Sequence, residues 1–109
     1  MLSMATPESK IKDKAKLALA RLGVYYTFPM TGGFGNSGVP DILVCYRGVF
    51  IGLECKANGN KPTRLQESHI KEINMNGGIA FIVNEHNIDH LYDILKEKVN
   101  GYFDVNKSA

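Results

Sequence analysis

The sequence predicts an α/β fold: a mixed β-sheet flanked by helices, with element order α-β-β-β-α-β-α. Three observations carry this expectation. Residues 40–56 form two apolar runs split by Arg47-Gly48, the pattern of a β-hairpin with a tight two-residue loop. Glu54 to Val83 reads strand–helix–strand, which implies a right-handed crossover and a parallel pair. Near each end, apolar residues recur at helical spacing and supply the outer helices.

Taken in order, residues 1–5 read as a loose terminus. Thr6-Pro7 opens a helix, an N-cap hydroxyl followed by proline at the first helical position. Ile11, Ala15, Ala18, Leu19 and Leu22 give it one apolar stripe, and Gly23 reads as its C-terminal cap. Val24–Phe28 is a β-rich strand that Pro29 ends. In the glycine-rich loop that follows, residues 33–38 fit GxGxxG. That pattern signals a dinucleotide only when it opens a helix, and here it leads into a strand, so no nucleotide cofactor is expected. The loop is either an ordinary connection or a flap whose amides approach a phosphate backbone, with Phe34 as a wedge or stacking surface.

After the hairpin, Thr63 and Gln66 have capping-box order, and Leu65, Ile70 and Ile73 continue a helix that Asn76-Gly77-Gly78 stops. Ile79–Val83 is continuously apolar, as expected for a strand buried on both faces. Asn87 would cap a last helix carrying Ile88, Leu91, Ile94, Leu95 and Val99 and ending at Gly101, with 103–109 a loose terminus. His86 and His90 have a spacing that suits zinc on a helix, but no third ligand is near them. His69 reads as a surface or boundary residue.

Length and composition bound the function. A chain of 109 residues, 44% hydrophobic and 22% charged, is one globular domain spanning 1–109. No apolar run approaches the roughly 20 residues of a membrane helix. The first residues lack the basic, apolar, small order of a signal peptide. A cytoplasmic protein without membrane partners is expected. Cys45 and Cys55 fall on opposite faces of the hairpin, which predicts free thiols. The net charge of +2 does not by itself imply nucleic acid, but its distribution is uneven: +3 through Lys56 and −1 afterwards. Lys10 and Lys14 belong to that positive half, as a solvated helix face or as DNA contacts.

The chemistry lies at the open end of the hairpin. With Tyr46 and Val49 as the last pair, Cys45 opposes Phe50, Leu43 opposes Gly52, and Asp41 opposes Glu54. Opposed residues share a face, and Lys56, two further on, returns to it. Two readings are open. A cross-strand salt bridge is one, worth about 0–1 kcal/mol when exposed. The other is a divalent-cation site, because opposed like charges destabilise a sheet and one lysine does not offset two carboxylates. Mg²⁺ binds through one or two carboxylates and keeps water or substrate phosphate in its other positions. Glu8, in the first helical turn, is accounted for by the helix dipole. Gln66 either reaches back to the Thr63 amide as part of the cap or points at the metal site to orient water or phosphate. Lys61 and Arg64 flank a helix N-terminus, where phosphate is favoured.

Pro40-Asp41, with Glu54-Cys55-Lys56 thirteen positions on, resembles the PD-(D/E)xK motif of metal-dependent nucleases. Residues 38–41, 52–56 and 61–66 are similar to the virus-type replication-repair nuclease (VRR-NUC) domain, and the resemblance runs from about Glu8 to Val83. It implies a restriction-endonuclease-like core and hydrolysis of DNA phosphodiesters. It also implies Mg²⁺ or Mn²⁺ held by Asp41, Glu54 and the Cys55 backbone carbonyl, with Glu8 completing the site. Lys56 would position or deprotonate the attacking water, and Gln66 would orient that water or a phosphate oxygen. Stand-alone members resemble Holliday-junction resolvases that act as two-fold dimers, so a four-way junction and a homodimer are the expected partners. A flap or duplex nuclease, a non-catalytic DNA-binding module and a partner-binding protein are the alternatives. All of this depends on register, since a slip of one residue turns Asp41 to the other face.

Overall fold

The computed structural model describes residues 6–30 and 37–108, with the side chains of 105–108 left aside. Helix α1 (Pro7–Leu22) begins as the sequence indicates: Thr6 Oγ1 accepts from the Ser9 amide at 3.1 Å, and Gly23 closes the helix in the left-handed region, φ 72°. Strands β1 (Tyr25–Thr27), β2 (Ile42–Tyr46) and β3 (Val49–Cys55) follow, then α2 (Arg64–Met75), β4 (Ile79–Val83), a 3₁₀ turn at Ile88–His90, and α3 (Leu91–Ser108). The sheet order is β1-β2-β3-β4, antiparallel in the first two pairs and parallel in the last. The predicted mixed α/β architecture is therefore the one present.

The β2–β3 register is the predicted one, from Tyr46↔Val49 through Cys45↔Phe50 and Leu43↔Gly52 to Ile42↔Leu53. Arg47 and Gly48 both have positive φ, 54° and 82°, as the two-residue turn compatible with strand twist requires. Alternation then separates two faces. Ile42, Val44, Val49, Ile51, Leu53 and Cys55 point into a core shared with Ile11, Ala15 and Leu19 of α1 and Leu91, Leu95 and Val99 of α3. The opposite face, bearing Gly52, is crossed by α2. A Cβ on Gly52 would lie 2.9 Å from both Ile73 Cδ1 and Pro40 Cγ, so the missing side chain is what lets Pro40 and α2 settle there.

The structure corrects four local expectations. Helix α3 continues through Gly101 to Ser108, because Tyr102 and Phe103 pack against the core. A helical glycine costs about 1 kcal/mol relative to alanine, less than such aromatic burial supplies. Asn87 does not cap α3; its side chain accepts from the Asn84 amide and donates to the Ile82 carbonyl, bracing the chain as it leaves β4. The first strand is three residues rather than five. Finally, β4 is an edge strand whose Ile79, Phe81 and Ile82 are only half-buried. Asn74 of α2 brackets it, exchanging two hydrogen bonds with the Ala80 backbone at 2.8 and 3.0 Å.

Candidate active site

Asp41 sits one step beyond the last ladder pair, at a bend. Its side chain substitutes for the missing rung: Oδ2 accepts the Cys55 amide at 2.8 Å. That bond fixes the carboxylate over the end of β3, on the side where Glu54 and Lys56 project. Glu54 is 2% exposed, the one buried charged residue among those described, and its Oε1 has no hydrogen-bond partner. Lys56 Nζ lies 3.7 Å from Glu54 Oε2. The turn after Lys56 is tied down by Glu85, whose carboxylate accepts the Asn58 amide, which holds its pKa below the usual carboxylate value.

The electrostatics are unbalanced. Burial, followed by the charge of Asp41 and a hydrogen bond to it, raises the Glu54 pKa to about 8, and Lys56 only partly opposes this. Glu54 therefore holds a proton near neutral pH and shares its site with Asp41. A buried carboxylate with one orphaned oxygen, facing a half-buried second carboxylate and beside an ammonium, suits a hard divalent cation that would replace that proton. The Cys55 thiol does not compete for this role. It points into the core, and burial pushes its pKa up to about 12.

Other expected site residues are distributed as follows. Glu8 adds its negative field to that at Glu54, but no group of three acidic, histidine or cysteine side chains close enough to hold a metal occurs among the described residues. Gln66 is engaged in the capping box, its Oε1 accepting the Thr63 amide at 2.9 Å. Lys61 and Arg64 are exposed at the start of α2. Lys10 and Lys14 lie on a different side of α1 from Glu8, in a groove with Asn58, Glu85 and Ile88, and Lys14 pairs with Asp89 at 3.2 Å. Phe34 lies outside the described residues. His86 and His90 fall on a turn and in the 3₁₀ segment, so they do not share an α-helical face.

One site residue escaped sequence reasoning. Lys12 Nζ is 3.4 Å from Asp41 Oδ1. Its spacing of four from Glu8 was the available signal, since that interval places both side chains on one face of α1.

Neither a scan against family models nor a search of curated proteins returns a match. Among solved structures, one described as a VRR_NUC domain aligns with a TM-score of 0.67 and 28% identity, covering 82% of this chain and 97% of that one. The likeness is therefore one of overall architecture, spanning most of both chains. On fold and motif together, the chain is similar to a VRR_NUC domain, an architecture of nuclease domains.

Proposed function

We propose that the protein is a metal-dependent, structure-selective DNA endonuclease that hydrolyses phosphodiester bonds in branched DNA, with a four-way junction as preferred substrate and a homodimer as the working form. The observation that carries the nuclease reading is the buried Glu54 carboxylate, one oxygen orphaned, held against Asp41 and Lys56. A purely structural salt bridge has no need of a second carboxylate facing the first.

In this reading Asp41 and Glu54, with the Cys55 backbone carbonyl, hold Mg²⁺ or Mn²⁺, and Glu8 contributes through water. The cation, when bound, supplies Lewis-acid charge that acidifies water and offsets charge on the scissile phosphate. Asp41 is pre-set for binding by its bond from the Cys55 amide. Lys56, its side chain 14% exposed, aims its ammonium along the site rather than into solvent. There it orients the attacking water and donates to the phosphate oxygen that gains charge. Gln66 takes part only by releasing the Thr63 amide; on its present bonds it serves the helix start. Lys61 and Arg64 offer backbone-phosphate contacts at the N-terminus of α2, and such contacts read shape rather than base sequence. Two-fold pairing of two such sites would match the symmetry of paired cuts at a junction.

The test is a cleavage assay. Purified protein is incubated with labelled four-way junction, flap, linear duplex and single strand, in Mg²⁺, Mn²⁺ or EDTA. Metal-dependent cutting strongest on the junction is expected. No cutting of any substrate in either metal overturns the enzyme reading; equal cutting of junction and duplex removes the junction preference and leaves the nuclease.

A further inference from the structure

We infer that Lys12 is a built-in counter-ion for the metal site: it holds Asp41 in the metal-free protein and is displaced when a divalent cation binds, so it sets metal affinity. This rests on the metal-site reading above and adds a residue to it.

The argument begins with the two oxygens of Asp41. Oδ2 is committed to the Cys55 amide, so Oδ1 is the oxygen left for a cation. Lys12 Nζ is on that oxygen, at 3.4 Å, with Lys12 and Asp41 side chains only 34% and 22% exposed. Lys56 balances the other carboxylate, at Glu54 Oε2. Two ammoniums thus offset the facing acids while Glu54 Oε1 stays unsatisfied. Both come from well-anchored elements, since α1 is packed into the core through Ile11 and Ala15 on the turns flanking Lys12. A divalent cation bound to Oδ1 and an ammonium on the same oxygen repel each other at short range. Lysine is a mobile point charge on a four-carbon stem, so it is the group that yields. Once off Asp41, it remains beside the site as a cation for a phosphate of the bound strand.

The experiment titrates Mn²⁺ alone into the DNA-free, full-length protein by calorimetry. Four variants accompany the wild type: Lys12→Met, Lys12→Arg, Glu54→Gln, and Lys96→Met as a charge control on α3, where Lys96 lies over Tyr92. Removing the competing charge in Lys12→Met should tighten Mn²⁺ binding by about three- to fivefold, the upper range of one partly exposed ion pair. Lys12→Arg should stay within about twofold of wild type, since the charge is kept. Lys12→Gln repeats the test should the methionine variant fail to fold. Unchanged or weaker binding in the neutral Lys12 variants, or equal tightening in Lys96→Met, overturns the role of Lys12 and leaves the metal site standing. If wild-type protein shows no Mn²⁺ binding that Glu54→Gln removes, the metal site itself fails and Lys12 with it.

Discussion

The two ends of the β2–β3 hairpin each bring a cation from one element against another, and they do it for different ends. At the turn, Arg47 donates to Asn100 Oδ1 at 3.2 Å and lies 4.4 Å from the Phe103 ring centroid. Both of these partners are neutral, and the contacts tether α3 to the turn. At the open end, Lys12 and Lys56 meet carboxylates that approach one another, and Glu54 keeps a buried oxygen with no partner. That arrangement is costly in isolation, because a buried polar atom without a hydrogen-bond partner destabilises a fold. The same hairpin thus spends one end on stability and holds the other in a state that a ligand would complete.

The sharpest way to break this contrast is to neutralise the open end. Glu54→Gln keeps the volume and the capacity to bond Asp41 but removes the titrating charge. DNA cleavage should fall by about 10²–10³-fold or more, a loss of the size seen when one preorganised group is removed. The melting temperature of the metal-free protein should rise at pH 7.5. Lys56→Ala should lose activity similarly, yet melt lower, because it leaves the two acids without their neighbouring ammonium. A fall in melting temperature for Glu54→Gln at that pH would mean that the open end is a stabilising salt bridge after all.

The pH dependence follows from the same group. Glu54 titrates near 8 in the folded protein and near 4.5 as an unperturbed side chain. Between those values the folded state holds a proton that the unfolded chain has released, so stability falls as pH rises through that window and levels off above it. Metal-free protein should therefore melt progressively lower from pH 5 to pH 8, and Glu54→Gln should flatten that slope. Binding of Mn²⁺ expels the proton, so affinity should climb with pH by up to about tenfold per unit until about pH 8. Melting curves and calorimetry across this range check both signs.

A smaller effect tests how the open end is positioned. Gly52 leaves room for Pro40, the residue before Asp41, and for Ile73 of α2. In Gly52→Ala the Ile73 methyl can swing aside, but the proline ring cannot. The expected outcome is a loss of about 1–3 kcal/mol in stability, as for other overpacked sites, together with weaker Mn²⁺ binding as Asp41 shifts. Denaturant melts and titration measure the two separately. Lost stability with unchanged metal binding would show that Pro40 does not position Asp41.

Much of this was legible in the sequence, for a specific reason. Strand parity is digital: once Arg47-Gly48 is a two-residue turn, the face of Asp41, Glu54 and Lys56 follows. The capping residues Thr6, Gly23 and Thr63 are equally local. What was not legible depends on how one element is rotated or docked against another. Lys12 rather than Lys10 or Lys14 reaches Asp41 because of the roll of α1 on the sheet, which periodicity along α1 fixes only for its apolar stripe. Gly101 reads as a helix end in isolation, and it is overridden by the packing of the two aromatic residues after it. The amide brackets made by Asn74 and Asn87 join separate elements and leave no pattern in sequence.

The smallest effect belongs to the turn, and it separates two contributions of one side chain. Arg47 holds φ at 54°, a left-handed conformation that costs most residues about 1–2 kcal/mol and asparagine less. Against that strain it makes the Asn100 hydrogen bond and the Phe103 stacking contact, the latter worth about 0.5–1 kcal/mol at an exposed site. Arg47→Ala keeps the strain and loses both contacts, so it should destabilise by about 1 kcal/mol. Arg47→Asn relieves strain while losing the same contacts, so its stability should lie above that of the alanine variant and close to wild type. Neither should alter Mn²⁺ affinity or cleavage, because the tether and the carboxylates occupy opposite ends of the hairpin. Altered metal binding in Arg47→Ala would mean that strain at the turn is transmitted along β2 and β3, and that the two ends are not independent.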